Sequence, residues 1–265
     1  MRRLRYVIPV FPDEMRTTDM HSRSRVAYAG LALALLAALA AALAGFGSRW
    51  GWWGFGTGFT VLKYAAYLAI LAALVSAVGI AQARPGTPRR GFGAAVAGLV
   101  VAAVVFGVPW QWRRQARAVP PIHDITTDTR DPPEFVAVLP LRAEAPNPAE
   151  YGGDSIAALQ REGYPELYPA ALPLRPEEAF RRALAAAREM GWEIVAADSA
   201  SGRIEATDQT FWFGFRDDVV VRVRGVAGGS WVDVRSVSRV GGSDVGTNAR
   251  RIRRYLERLR EQRDA

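Results

Sequence analysis

Cysteine is absent from all 265 residues, which excludes disulfides and thiolate-bound metals. Lysine is almost absent. Lys63 is the only one, so the formal charge of +8 is carried by arginine. Arginine in an Ala- and Gly-rich chain is also what a GC-rich genome produces, so it makes no argument for nucleic acid. Histidine occurs only at His21 and His123, which argues against an imidazole zinc site. Charge is missing from long stretches of the first 110 residues, whereas the remainder is polar. The mean hydropathy of +0.01 therefore averages two populations and describes neither.

Residues 26–46, VAYAGLALALLAALAAALAGF, hold no charge. At 1.5 Å per residue they are about long enough to cross a ~30 Å hydrocarbon core. Residues 59–83 form a second span with Lys63 near one end, from where it can snorkel to the interface. Residues 92–110 form a third, rich in Gly and Val. Trp50, Trp52, Trp53 and Phe55 precede span two, and Trp110 and Trp112 follow span three, in the manner of an interfacial belt. Residues 42–44, Ala-Leu-Ala, also resemble a signal-peptide cleavage site, and that reading would leave two spans. Met20 stands close before the first span and is an alternative start to Met1.

Arginine bias sets the orientation. Arg2, Arg3, Arg5, Arg16, Arg23 and Arg25 share a side with Arg84, Arg89 and Arg90. Arg49, Arg113, Arg114 and Arg117 lie opposite, nine against four. The excess predicts a cytoplasmic N-terminus, an inner-membrane location and a periplasmic C-terminal domain. The cluster at 113–117 argues against that placement.

The expected organisation is a cytoplasmic segment (1–25), a three-span region (26–110), a Pro-rich arm (111–175) and an α+β core (176–265). The prolines of the arm forbid long helices. Its one strand candidate is 135–139, and its apolar residues suggest that it docks on the domain. From Pro176 a helix carries Phe180, Ala183, Leu184 and Ala187 on one face and stops at Gly191. Strands follow at 192–197, 203–213, 217–224 and 231–240, with Gly228-Gly229 as a hairpin turn. Val245, Ala249, Ile252, Leu256 and Leu259 stripe a last helix. Helix, four antiparallel strands, helix is the pattern, with both helices on one sheet face.

Three segments carry a family resemblance: IHDITTDTRDPPEF (122–135), FRDDVVVRV (215–223) and VDVRSVSRVGGSDVGTNARRI (232–252). They resemble domain-of-unknown-function family 1499 over about residues 122–259. The resemblance implies bacterial envelope or plastid-related proteins, often with membrane segments ahead of the domain. It implies no activity.

Candidate site residues form several groups. Asp208, Asp217 and Asp218 are a possible acid or cation site, although neighbouring strand residues point to opposite faces, which separates Asp217 from Asp218. Arg216, Arg235, Arg239, Ser243 and Asn248 are a possible anion site. Arginine offers planar forks of donors, and the Gly-Gly-Ser-Asp segment lies where the last helix begins. The competing readings are a cross-strand charge ladder and a cap by Ser243 or Asp244. Four arginines (222, 224, 235, 239) against Asp233 and Glu205 leave one strand face with a positive excess. A triad using His123 would need Ser236 or Ser243 nearby. No metal, cofactor or nucleic acid is expected. The expected role is binding an anionic envelope ligand or protein partner, beside membrane lipid. An envelope hydrolase using Asp208, Asp217 or Asp218, and a structural adaptor for another membrane protein, are the alternatives.

Overall fold

The computed structural model describes residues 22–261, so Met20, the alternative start and the arginines before Ser22 lie outside the described residues. Helices α1 (Arg25–Arg49), α2 (Phe55–Gln82) and α3 (Phe92–Ala116) are long and apolar enough to cross a membrane, by length and composition. The chain forms two compact units. One holds residues through Ala37 with Leu68–Ala103, and the other Ala38–Tyr67 with Val104 onward.

In the first unit, β1 (Ser22–Arg23) and β2 (Arg89–Arg90) pair in parallel. The helices here approach through glycine. A Cβ on Gly79 would lie 2.8 Å from Ala27 Cα, and one on Gly98 would lie 2.9 Å from Leu31 N. Small residues permit this spacing where no water drives helices together.

In the second unit lies an α+β domain. After α3 come β3 (Asp124–Thr126), a 3-10 turn (Leu139–Arg142), α4 (Gly153–Gly163), β4 (Ala170–Leu172) and α5 (Pro176–Glu189). Then follow β5 (Glu193–Asp198), β6 (Arg203–Gln209), β7 (Arg216–Val226), β8 (Gly229–Ser238) and α6 (Thr247–Glu261). The strand order is β3-β8-β7-β6-β5, all antiparallel, with β4 also on β8. Six strands stand where four were expected, because the arm contributes β3 and β4. The expected strand at 135–139 is instead coil leading into the 3-10 turn. The strand expected over 203–213 stops at Gln209, and the aromatic run that follows is a loop.

Side-chain alternation assigns the two faces. Val219, Val221, Val223, Val232 and Val234 face α5 and α6, in a core closed by Phe180, Ile252 and Leu259. Trp192 stacks on Tyr255 at 5.0 Å, and the Tyr255 hydroxyl donates to Ala183 O at 3.0 Å. The other face carries Val220 and Val237, and the arm covers them with Phe135 and Val138. The Glu205 carboxylate fixes that cover, accepting from Val136 N and Val138 N at 3.0 Å each.

Candidate functional site

The sheet separates two polar clusters, since consecutive residues of a strand point to opposite faces. On the helix face β6 and β7 place Asp208 opposite Asp217. Two carboxylates side by side repel, and Arg251 of α6 resolves the repulsion. Its Nε donates to Asp208 at 2.7 Å and its Nη2 to Asp217 at 2.6 Å. Its Nη1 donates to Ser236 Oγ at 3.1 Å and also to Asn248 Oδ1. Burial alone lowers the Arg251 pKa, but Asp217 and Asp208 outweigh it and raise the pKa above the usual value.

Asn248 is fully buried. Its amide donates to His123 O and Ser238 Oγ and accepts from Ser236 Oγ, which ties α6 to β8 and to the start of the arm. At the start of α6 the Asp244 carboxylate accepts from Gly246 N and Asn248 N, and Ser243 Oγ accepts from Val245 N. These side chains thus occupy N–H groups that an external anion would need. Burial pushes the Asp244 carboxyl above its usual range, against the pull of those two N–H donors.

The arm face holds the second cluster. Arg235 is 2% exposed and grips Asp124 through Nε at 2.9 Å and Nη2 at 2.7 Å. It also donates to Pro133 O and Ala149 O, between the rings of Phe135 and Tyr151. Arg239 grips Asp218 at 2.9 and 2.8 Å, and Arg142 and Thr207 donate to the same carboxylate. Burial alone raises the Asp218 pKa, but hydrogen bonds from Arg239, Thr207 and Arg142 overcome it and hold the carboxyl low. Arg222 and Arg224 pair with Asp128, Asp131 and Asp233. Burial still pushes Asp233 up, since these two arginines only partly offset it.

The positive excess read from the strands is therefore cancelled. Counted on the strands alone, this face has surplus arginine. The docked arm adds Asp124, Asp128 and Asp131, and β7 adds Asp218, so six carboxylates with Glu205 and Asp233 meet six guanidiniums with Arg142 and Arg203. The five residues grouped as an anion site do not converge. Arg235 and Arg239 lie under the arm, Asn248 lies on the opposite sheet face at the start of α6, and Ser243 is turned to its own backbone. Arg216 stands apart, exposed, with no ion pair or hydrogen-bonded side chain among the described residues. Asp208 and Asp217 share a guanidinium on one face while Asp218 sits on the other, so the three carboxylates form no common site. Ser236 and Ser243 hydroxyls are both engaged, and neither is within reach of His123 by any hydrogen bond. Among the described residues no group of three or more His, Asp or Glu side chains is placed to hold a metal ion.

Two organising residues were not singled out beforehand. Arg251 was legible: it lies three residues after Asn248 and four before Tyr255, inside the buried stripe of α6. Arg142 was not, because no periodicity marks a residue delivered by a 3-10 turn.

A sequence-family profile described as protein of unknown function (DUF1499) matches residues 124–259. The chain belongs to that family. Both limits of the DUF1499 match have a structural meaning. Asp124 is the carboxylate that holds Arg235, and Leu259 is the last fully buried side chain of α6. Both polar clusters and the arm from Asp124 onward thus belong to the DUF1499 domain, while the three apolar helices precede it. No protein with a curated description matches the chain.

Exposed cations gather elsewhere. Arg113, Arg114 and Arg117, at the end of α3, are exposed and have no ion pair among the described residues. Nearby, Gln115 Nε2 and Arg250 Nη1 both donate to Val245 O, which ties the end of α3 to the turn before α6. Arg49, at the end of α1, donates to Thr210 O at 2.8 Å and Phe211 O at 3.1 Å, just ahead of Arg216.

Proposed function

We propose that this is a non-enzymatic, three-span protein of the bacterial inner membrane. Its N-terminus is cytoplasmic, and its DUF1499 domain is periplasmic and binds anionic lipid headgroups where the chain leaves the bilayer. The observation that carries the reading is the sorting of arginine. The guanidiniums buried against the sheet, those of Arg142, Arg235 and Arg251, meet carboxylates, whereas Arg113, Arg114, Arg117 and Arg216 are exposed without an ion pair beside the helix ends. Phosphate suits that set, because guanidinium forks match its oxygens. The anion-binding role thereby passes from Arg235 and Arg239 to this collar. The hydrolase alternative loses support, since Asp208, Asp217 and Asp218 are all held by arginine and lack a free carboxylate for acid–base work.

The test compares full-length protein in nanodiscs of phosphatidylglycerol and of phosphatidylcholine. Anionic lipid should raise the melting temperature, and Arg216→Gln with Arg113→Gln and Arg114→Gln should erase the difference. Equal melting in both lipids would end the headgroup reading. Carboxy-terminal alkaline phosphatase and fluorescent-protein fusions test the side: phosphatase active and fluorescence dark is expected, and the reverse pair overturns the periplasmic placement.

A further inference from the structure

The β6–β7 loop, residues 210–215, reads Thr-Phe-Trp-Phe-Gly-Phe: four aromatics and no charge at the edge of a water-facing domain. Phe213 is buried against helices, and Trp212 and Phe215 are partly so. Trp212 Nε1 donates to Ala42 O at 3.1 Å, seven residues before the end of α1. At 1.5 Å per residue that point is about 10 Å inside the helix end. Phe213 is 4% exposed and packs with Ala41, Ala44, Leu62 and Ala65, and Ala65 is ten residues into α2. Glycine clears its path. A Cβ on Gly45 would fall 2.2 Å from Trp212 Cδ1, and one on Gly58 would fall 2.5 Å from Ala44 O and 3.0 Å from the Phe213 ring. Trp50, Trp52, Trp110 and Trp112 are exposed near the helix ends, where an interfacial belt belongs, and Trp212 meets that belt at Trp112, with ring centroids 5.2 Å apart.

A non-helical segment at that depth must satisfy its own backbone, because hydrocarbon offers no partner. This loop does so at its two ends. Thr210 N donates to Phe215 O, and Gly214 N to Thr210 O. Phe215 N donates to Thr210 Oγ1. Arg49 caps the carbonyls of Thr210 and Phe211, and Gln209 Nε2 caps that of Gly214. One residue is left over: Phe211 is 79% exposed, touching only the edge of the Phe46 ring at 5.5 Å.

We infer that residues 210–215 are a re-entrant membrane element through which the DUF1499 domain inserts into the bilayer, with Phe211 in contact with lipid acyl chains. The occupant of this surface is lipid, because the patch is continuous with apolar helices and Trp212 and Phe213 already pack among their side chains. The inference rests on the membrane-spanning part of the proposed function, and on neither its orientation nor its headgroup binding.

The absence of cysteine allows a unique spin label at any position. Three full-length variants in nanodiscs suffice: Phe211→Cys, Leu74→Cys on α2 (63% exposed) and Ala227→Cys in the exposed β7–β8 turn. Each nitroxide is read for collisions with oxygen, which partitions into lipid, and with a water-soluble nickel chelate. The label at 211 should match that at 74, with an oxygen-to-nickel ratio several-fold above that at 227. A label at 211 that matches 227 while 74 reads as lipid overturns the re-entrant loop alone. A label at 74 that reads as water overturns the spanning helices and the loop together. Phe211 supports little packing, so its replacement leaves the fold in place.

Discussion

Replacing Arg235 with methionine keeps most of the side-chain volume and deletes the charge. Asp124 would then be buried without its partner, a change that typically costs about 3–5 kcal/mol. The expected result is a lower denaturant midpoint for Arg235→Met, partly restored when Asp124→Asn is added, because residues in contact are not additive. Two carboxylates on the same sheet face should respond to pH with opposite sign. Asp218 titrates below its ordinary value of 3.8 in the folded state. Its stabilisation is complete above pH 3.8 and is lost as pH falls through the depressed folded value. Asp233 titrates above 3.8 when folded, so its contribution is full below pH 3.8 and declines as pH rises through the raised value. Melting curves against pH should therefore flatten below pH 3.8 in Asp218→Asn and above it in Asp233→Asn. An Asp233→Asn profile identical to the parent would contradict the burial argument. These roles were half legible. Alternation in β7 put Asp217 and Asp218 on different faces, as the structure has them, but the partners Arg142 and Asp124 come from the arm and no local pattern announced them.

Elements here are held by single side chains at their ends. Asp244 closes the first turn of α6 by accepting from Gly246 N and Asn248 N. Asp244→Ala should cost about 1 kcal/mol, as loss of an N-terminal cap does, measurable as a melting shift with unchanged helix content. Glu205 does the same for the arm. Its carboxylate is buried and takes two backbone N–H groups of residues 136–138. Hydrogen bonds to a charged group are worth about 1.5–3 kcal/mol, so Glu205→Ala should release the arm. Limited proteolysis should then cut between residues 128 and 150 faster than in the parent while the sheet core stays intact. The strands of the core were readable because β7 and β8 alternate valine with charge. The arm strands β3 and β4 were not, since three residues are too few to show a period. Residues 210–213 were misread as strand because aromatics favour strands wherever a pleated surface receives them, and only α1 and α2 show what these rings pack against.

For the whole molecule the governing quantity is where arginine remains uncompensated. Coulomb attraction between an exposed collar and lipid phosphate is screened over about 10 Å at 0.1 M salt. The melting advantage in phosphatidylglycerol nanodiscs should therefore shrink steeply as salt rises. Insertion of Phe211 depends on apolar burial and should show no such decline, so accessibility at position 211 should stay constant over the same range. Joint loss of both would mean that one contact, not two, binds the domain to the membrane.

Local chemistry alone determined the three apolar helices, the alternation that builds β5 to β8, the apolar stripes of α5 and α6 and the DUF1499 character of residues 124–259. Each of these is a property of residues a few positions apart, where spacing is fixed by backbone geometry. Charge balance was decided only in three dimensions. Asp124 lies 111 residues from Arg235, and Arg142 lies 76 from Asp218. Pairs so remote form because burying either charge alone is prohibitive, so the fold that docks the arm must bring a counter-charge with it.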